Sequence, residues 1–197
     1  MKMPALRLAL VIASLATGRG LAAQEIPTFH AGQWAAEFTG GNWGNAGVMR
    51  FFSPQSALVL SASGSLSQNK ASPDGGTRSK SDAQSLFLAL GVRRHRTVAP
   101  RVQATTELGA SFGVNHWTST TDLVGNPVRS RETRTNGGIY GEIGGQYFVA
   151  THLALGTGAV LNASMTSGRN ESGGSGTDYR GFALSTSLLP IRVTLYF

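Results

Sequence analysis

RVQATTELGASFGVN, residues Arg101 to Asn115, alternates without a break. Val102, Ala104, Thr106, Leu108, Ala110, Phe112 and Val114 fall on one side. Arg101, Gln103, Thr105, Glu107, Gly109, Ser111, Gly113 and Asn115 fall on the other. Successive side chains of a strand point to opposite faces, so the stretch reads as one strand with an apolar face and a polar or very small one. Soluble strands average about 5 or 6 residues, whereas a membrane-crossing strand needs roughly 9 to 11. This run is long enough to cross.

The same alternation recurs outward from it in both directions. Towards the N-terminus, Ser81–Arg93 sets Leu86, Leu88, Leu90 and Val92 against Ser85, Phe87, Ala89, Gly91 and Arg93. Ala57–Gln68 sets Leu58, Leu60, Ala62 and Leu66 against serines. Gly47–Phe52 sets Met49 and Phe51 against Arg50, and Gln33–Gly40 sets Trp34, Ala36 and Phe38 against Glu37. Towards the C-terminus, Thr135–Val149 sets Ile139, Ile143, Tyr147 and Val149 against Glu142 and Gln146. His152–Met165 sets Leu153, Leu155, Leu161 and Met165 against Gly156, Gly158, Asn162 and Ser164. The last segment, Tyr179–Phe197, places Leu189, Ile191, Val193, Leu195 and Phe197 opposite Pro190, Arg192, Thr194 and Tyr196. Phe182 and Leu184 have the other parity, which predicts a bulge between Ser185 and Pro190. The total is eight strands.

Their connections alternate in length. Ser53–Ser56, Thr97–Pro100 and Ala150–Thr151 read as tight turns. Asn69–Lys80, His116–Arg134 and Ser167–Asp178 read as long polar loops, and Gly41–Ala46 closes the first hairpin. Short turns on one side and long loops on the other suit an outer-membrane barrel.

The N-terminus stands apart. Lys2 and Arg7 precede an apolar run, Leu8–Ala16, and a small-residue exit, Gly20-Leu21-Ala22-Ala23. That order predicts a secretory signal peptide over residues 1–23, cut after 22 or 23, with the barrel domain over 24–197. Removing Lys2, Arg7 and Arg19 lowers the formal charge from +7 to +4, leaving 14 basic and 10 acidic residues. An exported chain of mild charge is not expected to meet nucleic acid, and basic groups facing anionic lipid are the better match. There is no cysteine, so neither disulfides nor a cysteine-linked lipid is available.

Pattern alone allows either face to point inward. Three features favour lipid outside. The face opposite the leucines is rich in Gly, Ser, Ala and Thr rather than Lys and Glu. Trp43, Trp117 and Tyr179 fall near the long loops, and Trp34, Phe51, Tyr147 and Phe197 near the short turns, as two aromatic girdles would. The sequence also stops at Phe197 inside its last strand, which is then expected to pair with the first, because lipid cannot satisfy an open edge. The expected lumen then holds Glu37, Arg50, Arg93, Arg101, Glu107, Glu142 and Arg192 as an ion network. Eight strands leave an interior just wide enough for such side chains.

Leu189, Ile191, Val193, Leu195 and Phe197 resemble the C-terminal assembly signal of outer-membrane barrels, an alternating strand ending in Phe. With the signal peptide and eight strands, the chain resembles the small OmpA/OmpX-type barrels over essentially all of residues 24–197. The resemblance implies an all-β, eight-stranded, antiparallel up-and-down transmembrane barrel in the bacterial outer membrane. It also implies contact with outer-membrane lipid and with the barrel-assembly machinery.

On function the expectation is a barrel with a filled lumen and a structural or surface-interaction role through its loops, with no cofactor and no catalytic site. A lipid A-modifying enzyme is the alternative, resting on His116 with Thr118 and Ser119 at the outer rim, but no carboxylate is spaced to orient the histidine. A small pore is the third reading. His30, His95 and His152 match no metal-binding spacing.

Overall fold

The computed structural model describes residues 28–40, 45–71, 78–123 and 126–197. The expected signal peptide and Trp43 lie outside these residues. The elements are β1 (Trp34–Thr39), β2 (Asn45–Ser53), β3 (Ser56–Ala71), β4 (Arg78–Ala99), β5 (Val102–Leu123), β6 (Asn126–Ala150), β7 (Leu153–Ser172) and β8 (Ser175–Tyr196). Each pairs antiparallel with the next, and β8 pairs with β1, so the sheet closes into an eight-stranded up-and-down barrel.

The apolar face points out. Leu108 is 70% exposed and Phe112 52%, while Glu107, the residue before Leu108, is only 7% exposed. Leu58, Leu60, Leu88, Leu90, Ile139, Ile143, Leu161 and Leu195 share the outer surface. On β5 this outer belt runs from Val102 to Val114, about 40 Å along the strand and about 30 Å in height at the usual tilt. That matches a bilayer's hydrocarbon core. Such a continuous apolar exterior would be untenable in water.

Several local expectations are corrected by the register. In β2 the faces are reversed: Met49 and Phe51 are buried in the lumen, and Arg50 points outward. Arg50 lies directly opposite Trp34, and its guanidinium sits 5.4 Å from the centre of the Trp34 ring. The lower lumen is itself apolar, so Met49 and Phe51 find a core there. Arg101 sits in the β4–β5 turn with φ 63° and is not on a lumen-facing strand position. The bulge in β8 spans Leu189 to Arg192, where three steps oppose two of β7, from Gly158 to Gly156. Pro190, which lacks an N–H, lies inside it. The parity flip puts Leu189 on the lumen side, whereas Ile191, Val193, Leu195 and Phe197 keep the outer face.

The long polar stretches are strand over their described residues. β5 continues to Leu123 and β6 resumes at Asn126, while β7 and β8 meet at a tip formed by Gly173 and Gly174. These hairpins stay paired well beyond the apolar belt. Both faces of the extension meet water, so serine, threonine and arginine serve equally on either side. The β1–β2 pairing is shorter: among the described residues its last rung is Thr39 opposite Asn45.

Candidate functional site

The lumen is layered from the short-turn end upward. At the bottom, Phe29 enters from the segment before β1 and packs on Phe51 at 4.4 Å, Tyr196 at 4.9 Å, His95 at 5.2 Å and Phe148 at 6.2 Å between ring centres. Phe51, His95, Phe148 and Tyr196 are inward positions of their strands, so alternation delivers four of the rings and the entering segment supplies the fifth. Above them, the Tyr196 hydroxyl donates to Gln146 Oε1 at 2.9 Å, and Gln146 Nε2 donates to Gln103 Oε1 at 2.9 Å.

Next comes the ion network. Arg93, only 2% exposed, donates through Nε to Glu107 Oε2 at 2.7 Å and through its terminal nitrogens to both oxygens of Glu37. Arg192 pairs with Glu142, and its Nε lies 3.4 Å from Glu37 Oε1. The Tyr140 hydroxyl donates to Glu107 Oε1 at 2.5 Å. Tyr140 can reach because Gly91 and Gly109 leave room for its ring; a Cβ on Gly109 would come within 2.7 Å of it. Burying charges is tolerable when each finds a partner and its remaining hydrogen bonds are met. The five ionic members sit on β1, β4, β5, β6 and β8, so the network ties together strands that are not neighbours in the sheet.

Of the seven residues expected in the lumen, Glu37, Arg93, Glu107, Glu142 and Arg192 come together, while Arg50 and Arg101 do not. The sequence reading missed Tyr140 and Phe29. Tyr140 was legible as an inward position two residues before Glu142, but Phe29 precedes the first strand and carries no periodicity.

The aromatic positions divide. Trp34 and Tyr147 are exposed on the outer face near the short turns, with Phe52 and Phe197 beside them in the same belt. Trp117 and Tyr179 have lumen-side parity on the extension, so they do not form a second lipid-facing girdle. Trp117 lies opposite Glu132, and the Tyr179 hydroxyl donates to Glu132 Oε1 at 2.5 Å across β7. That carboxylate holds the Tyr179 phenol above its ordinary pKa. His116 faces two hydroxyls: Nδ1 is 3.1 Å from Thr133 Oγ1 and Nε2 is 3.3 Å from Thr118 Oγ1.

An apolar exterior, charges gathered in the lumen and a closed sheet define a β-barrel membrane protein of the bacterial outer membrane. In fold it is a small eight-stranded up-and-down barrel. Neither family models nor curated proteins match the chain. Among solved structures, a major outer membrane protein from Thermus thermophilus shares the fold with a TM-score of 0.57 at 14% identity, over 85% of this chain and 100% of that one. Acinetobacter baumannii CarO gives a TM-score of 0.45 at 9% identity over 86% and 99% of the two chains. Escherichia coli outer membrane protein W gives 0.45 at 11% identity over 85% and 99%.

Proposed function

We propose that this outer-membrane barrel is sealed at its periplasmic half and serves a structural or surface-interaction role, presenting the hairpins above the bilayer to other molecules. The observation that carries the reading is Arg93 held between Glu37 and Glu107 across the lumen, with the aromatic layer below it. Together these fill the width that eight strands provide. The tall wall of β4–β8 then carries recognition, as exposed segments on rigid scaffolds commonly do. Trp34 and Tyr147 anchor the periplasmic boundary in outer-membrane lipid. The strand ending in Ile191, Val193, Leu195 and Phe197 engages the assembly machinery.

Planar-bilayer recording tests the seal. The purified barrel is expected to show no steady conductance, and reproducible single-channel steps would overturn the reading. The reading includes no catalytic role: the mass of lipid A should be the same with and without the protein, and a modified lipid A would restore the enzyme alternative.

A further inference from the structure

The closed ring is complete only in its lower part. β1 pairs with β8 over Ala35–Thr39 opposite Tyr196–Arg192, and Gly40 N–H adds one bond to Ile191 O at 3.1 Å. Above that, among the described residues, β8 from Ser175 to Leu189 pairs with β7 alone, and β3 from Gly64 to Ala71 pairs with β4 alone. Among the described residues, the wall therefore has a notch above the rung joining Thr39 to Asn45. Phe182, Leu184 and Leu188 face outward beside it and are 71%, 65% and 84% exposed, so the notch reaches down into the apolar belt. Backbone at that depth is tolerated where it lines a cavity, not where it faces lipid.

A cavity is there. A cup of about 260 Å³ rests on the ion network and reaches Ser185, Ser187 and Leu189 of the notched strand. Its walls mix apolar Phe87 and Val160 with serine hydroxyls. Two of its acceptors, Asn45 Oδ1 and Asn162 Oδ1, are buried without a hydrogen-bond partner; among the described residues the one such donor in its walls, Arg192 Nε, faces Glu37 Oε1 at 3.4 Å. The ionic groups of its floor are three carboxylates, Glu37, Glu107 and Glu142, against two guanidinium groups, Arg93 and Arg192. Outside the wall, a shallow apolar groove formed by Phe38, Ala62, Gly64 and Leu86 meets the cup at Thr39 and Asn45, which line both.

We infer that the notch admits a single-chain amphiphile from the outer leaflet. Its head group lies in the cup and its chain passes over Thr39 and Asn45 into the Phe38–Leu86 groove. The free acceptors and the excess of carboxylates select a head that donates hydrogen bonds and bears no negative charge, a hydroxyl or a primary amine. An anionic head would meet unpaired acceptors and three carboxylates. The inference takes the sealed floor from the proposed function, which makes the cup blind, but its readout is independent of conductance.

The test uses the barrel in phosphatidylcholine nanodiscs with three hexadecyl probes carrying a photoreactive diazirine next to the head: an alcohol, a primary amine and a sulfate. Peptide mass spectrometry locates the adducts. The alcohol, the amine or both should label β8 around Ser185–Leu189, and a tenfold excess of the matching unlabelled amphiphile should abolish that labelling. The alcohol and amine arms distinguish the two head types. Ser187→Trp fills the mouth of the cup and should reduce labelling at least tenfold, with Ser187→Ala close to the parent chain. If the Trp variant does not show a boiling-dependent gel shift, competition on the parent protein decides alone. Adducts spread equally over Ile139 and Ile143, uncompeted labelling, or equal labelling by the sulfate would each overturn the inference.

Discussion

Arg93 and Glu37 are 56 residues apart on strands that do not touch in the sheet, yet the guanidinium donates to both oxygens of the carboxylate, with Nη2 at 3.1 Å from Oε1. The pair spans the lumen, so its loss is felt by several strands at once. Removing one partner of a buried pair typically costs about 3–5 kcal/mol. Arg93→Ala should lower the unfolding midpoint in detergent well below that of a Ser65→Ala control, read by the boiling-dependent gel shift. Arg93→Lys should recover only part of the loss, because an ammonium cannot serve Glu37 and Glu107 in the same fork geometry. Equal midpoints for Arg93→Ala and the control would count against an interior network.

Arg50 supplies the contrast. It lies on the outer face, and its contact with Trp34 at 5.4 Å is a surface cation–π interaction worth roughly 0.5–1 kcal/mol. Arg50→Ala should shift the same midpoint far less than Arg93→Ala, and the shift should vanish in a Trp34→Leu background. A loss as large as that of Arg93→Ala would return Arg50 to the lumen.

Phe29 closes the bottom of the barrel over His95, whose Nε2 is buried without a partner. Phe29→Ala should expose that nitrogen. Modification of His95 by diethyl pyrocarbonate is expected to accelerate at least fivefold, measured by peptide mass spectrometry, with His116 as the internal reference. Unchanged reactivity would show that the entering segment does not cover the lumen.

Gly168 and Tyr179 form a pair on the extension. A Cβ at Gly168 would stand 2.5 Å from the Tyr179 ring, so Gly168→Ala must displace the ring and break its bond to Glu132. The expected cost is about 1 kcal/mol, the usual worth of such a hydrogen bond. In a Tyr179→Ala background the same substitution should be nearly neutral, a coupling that a double-mutant cycle measures directly. Because the folded state raises the phenol's pKa, the contribution is fully present below the ordinary tyrosine pKa and is lost as pH rises from there through the raised folded value. Glu132→Gln should bring the Tyr179 titration back down in an absorbance measurement.

How far the sequence carries the fold depends on whether the two sides of a strand differ. β5 is readable because Leu108 meets lipid while Glu107 meets the lumen. β2 misleads because Met49 and Phe51 face an apolar lumen floor, so their alternation with Arg50 has the look of a lipid face. Only the rung joining Trp34 to Arg50 fixes the side. The polar stretches above the belt carry no alternation because water lies on both faces, and they read as loops although they are strands. In β8, the parity change between Leu184 and Leu195 announces a bulge, but its position, and with it the side taken by Leu189, depends on the pairing with Gly156 and Gly158. The ion network was legible as residue types at inward positions. The aromatic closure was not, because Phe29 belongs to no strand.

The paired hairpins that rise from the bilayer also constrain how this surface can evolve. Within Thr118–Thr121 or Arg129–Thr133, one added or deleted residue would exchange every inward side chain of that arm for an outward one and break the ladder on both flanks. Substitutions are free of that penalty, and the turn at Gly173 and Gly174 can change length without disturbing the rungs beneath it. Sequence variation on this protein should therefore accumulate as point changes along the arms, with insertions confined to the crests.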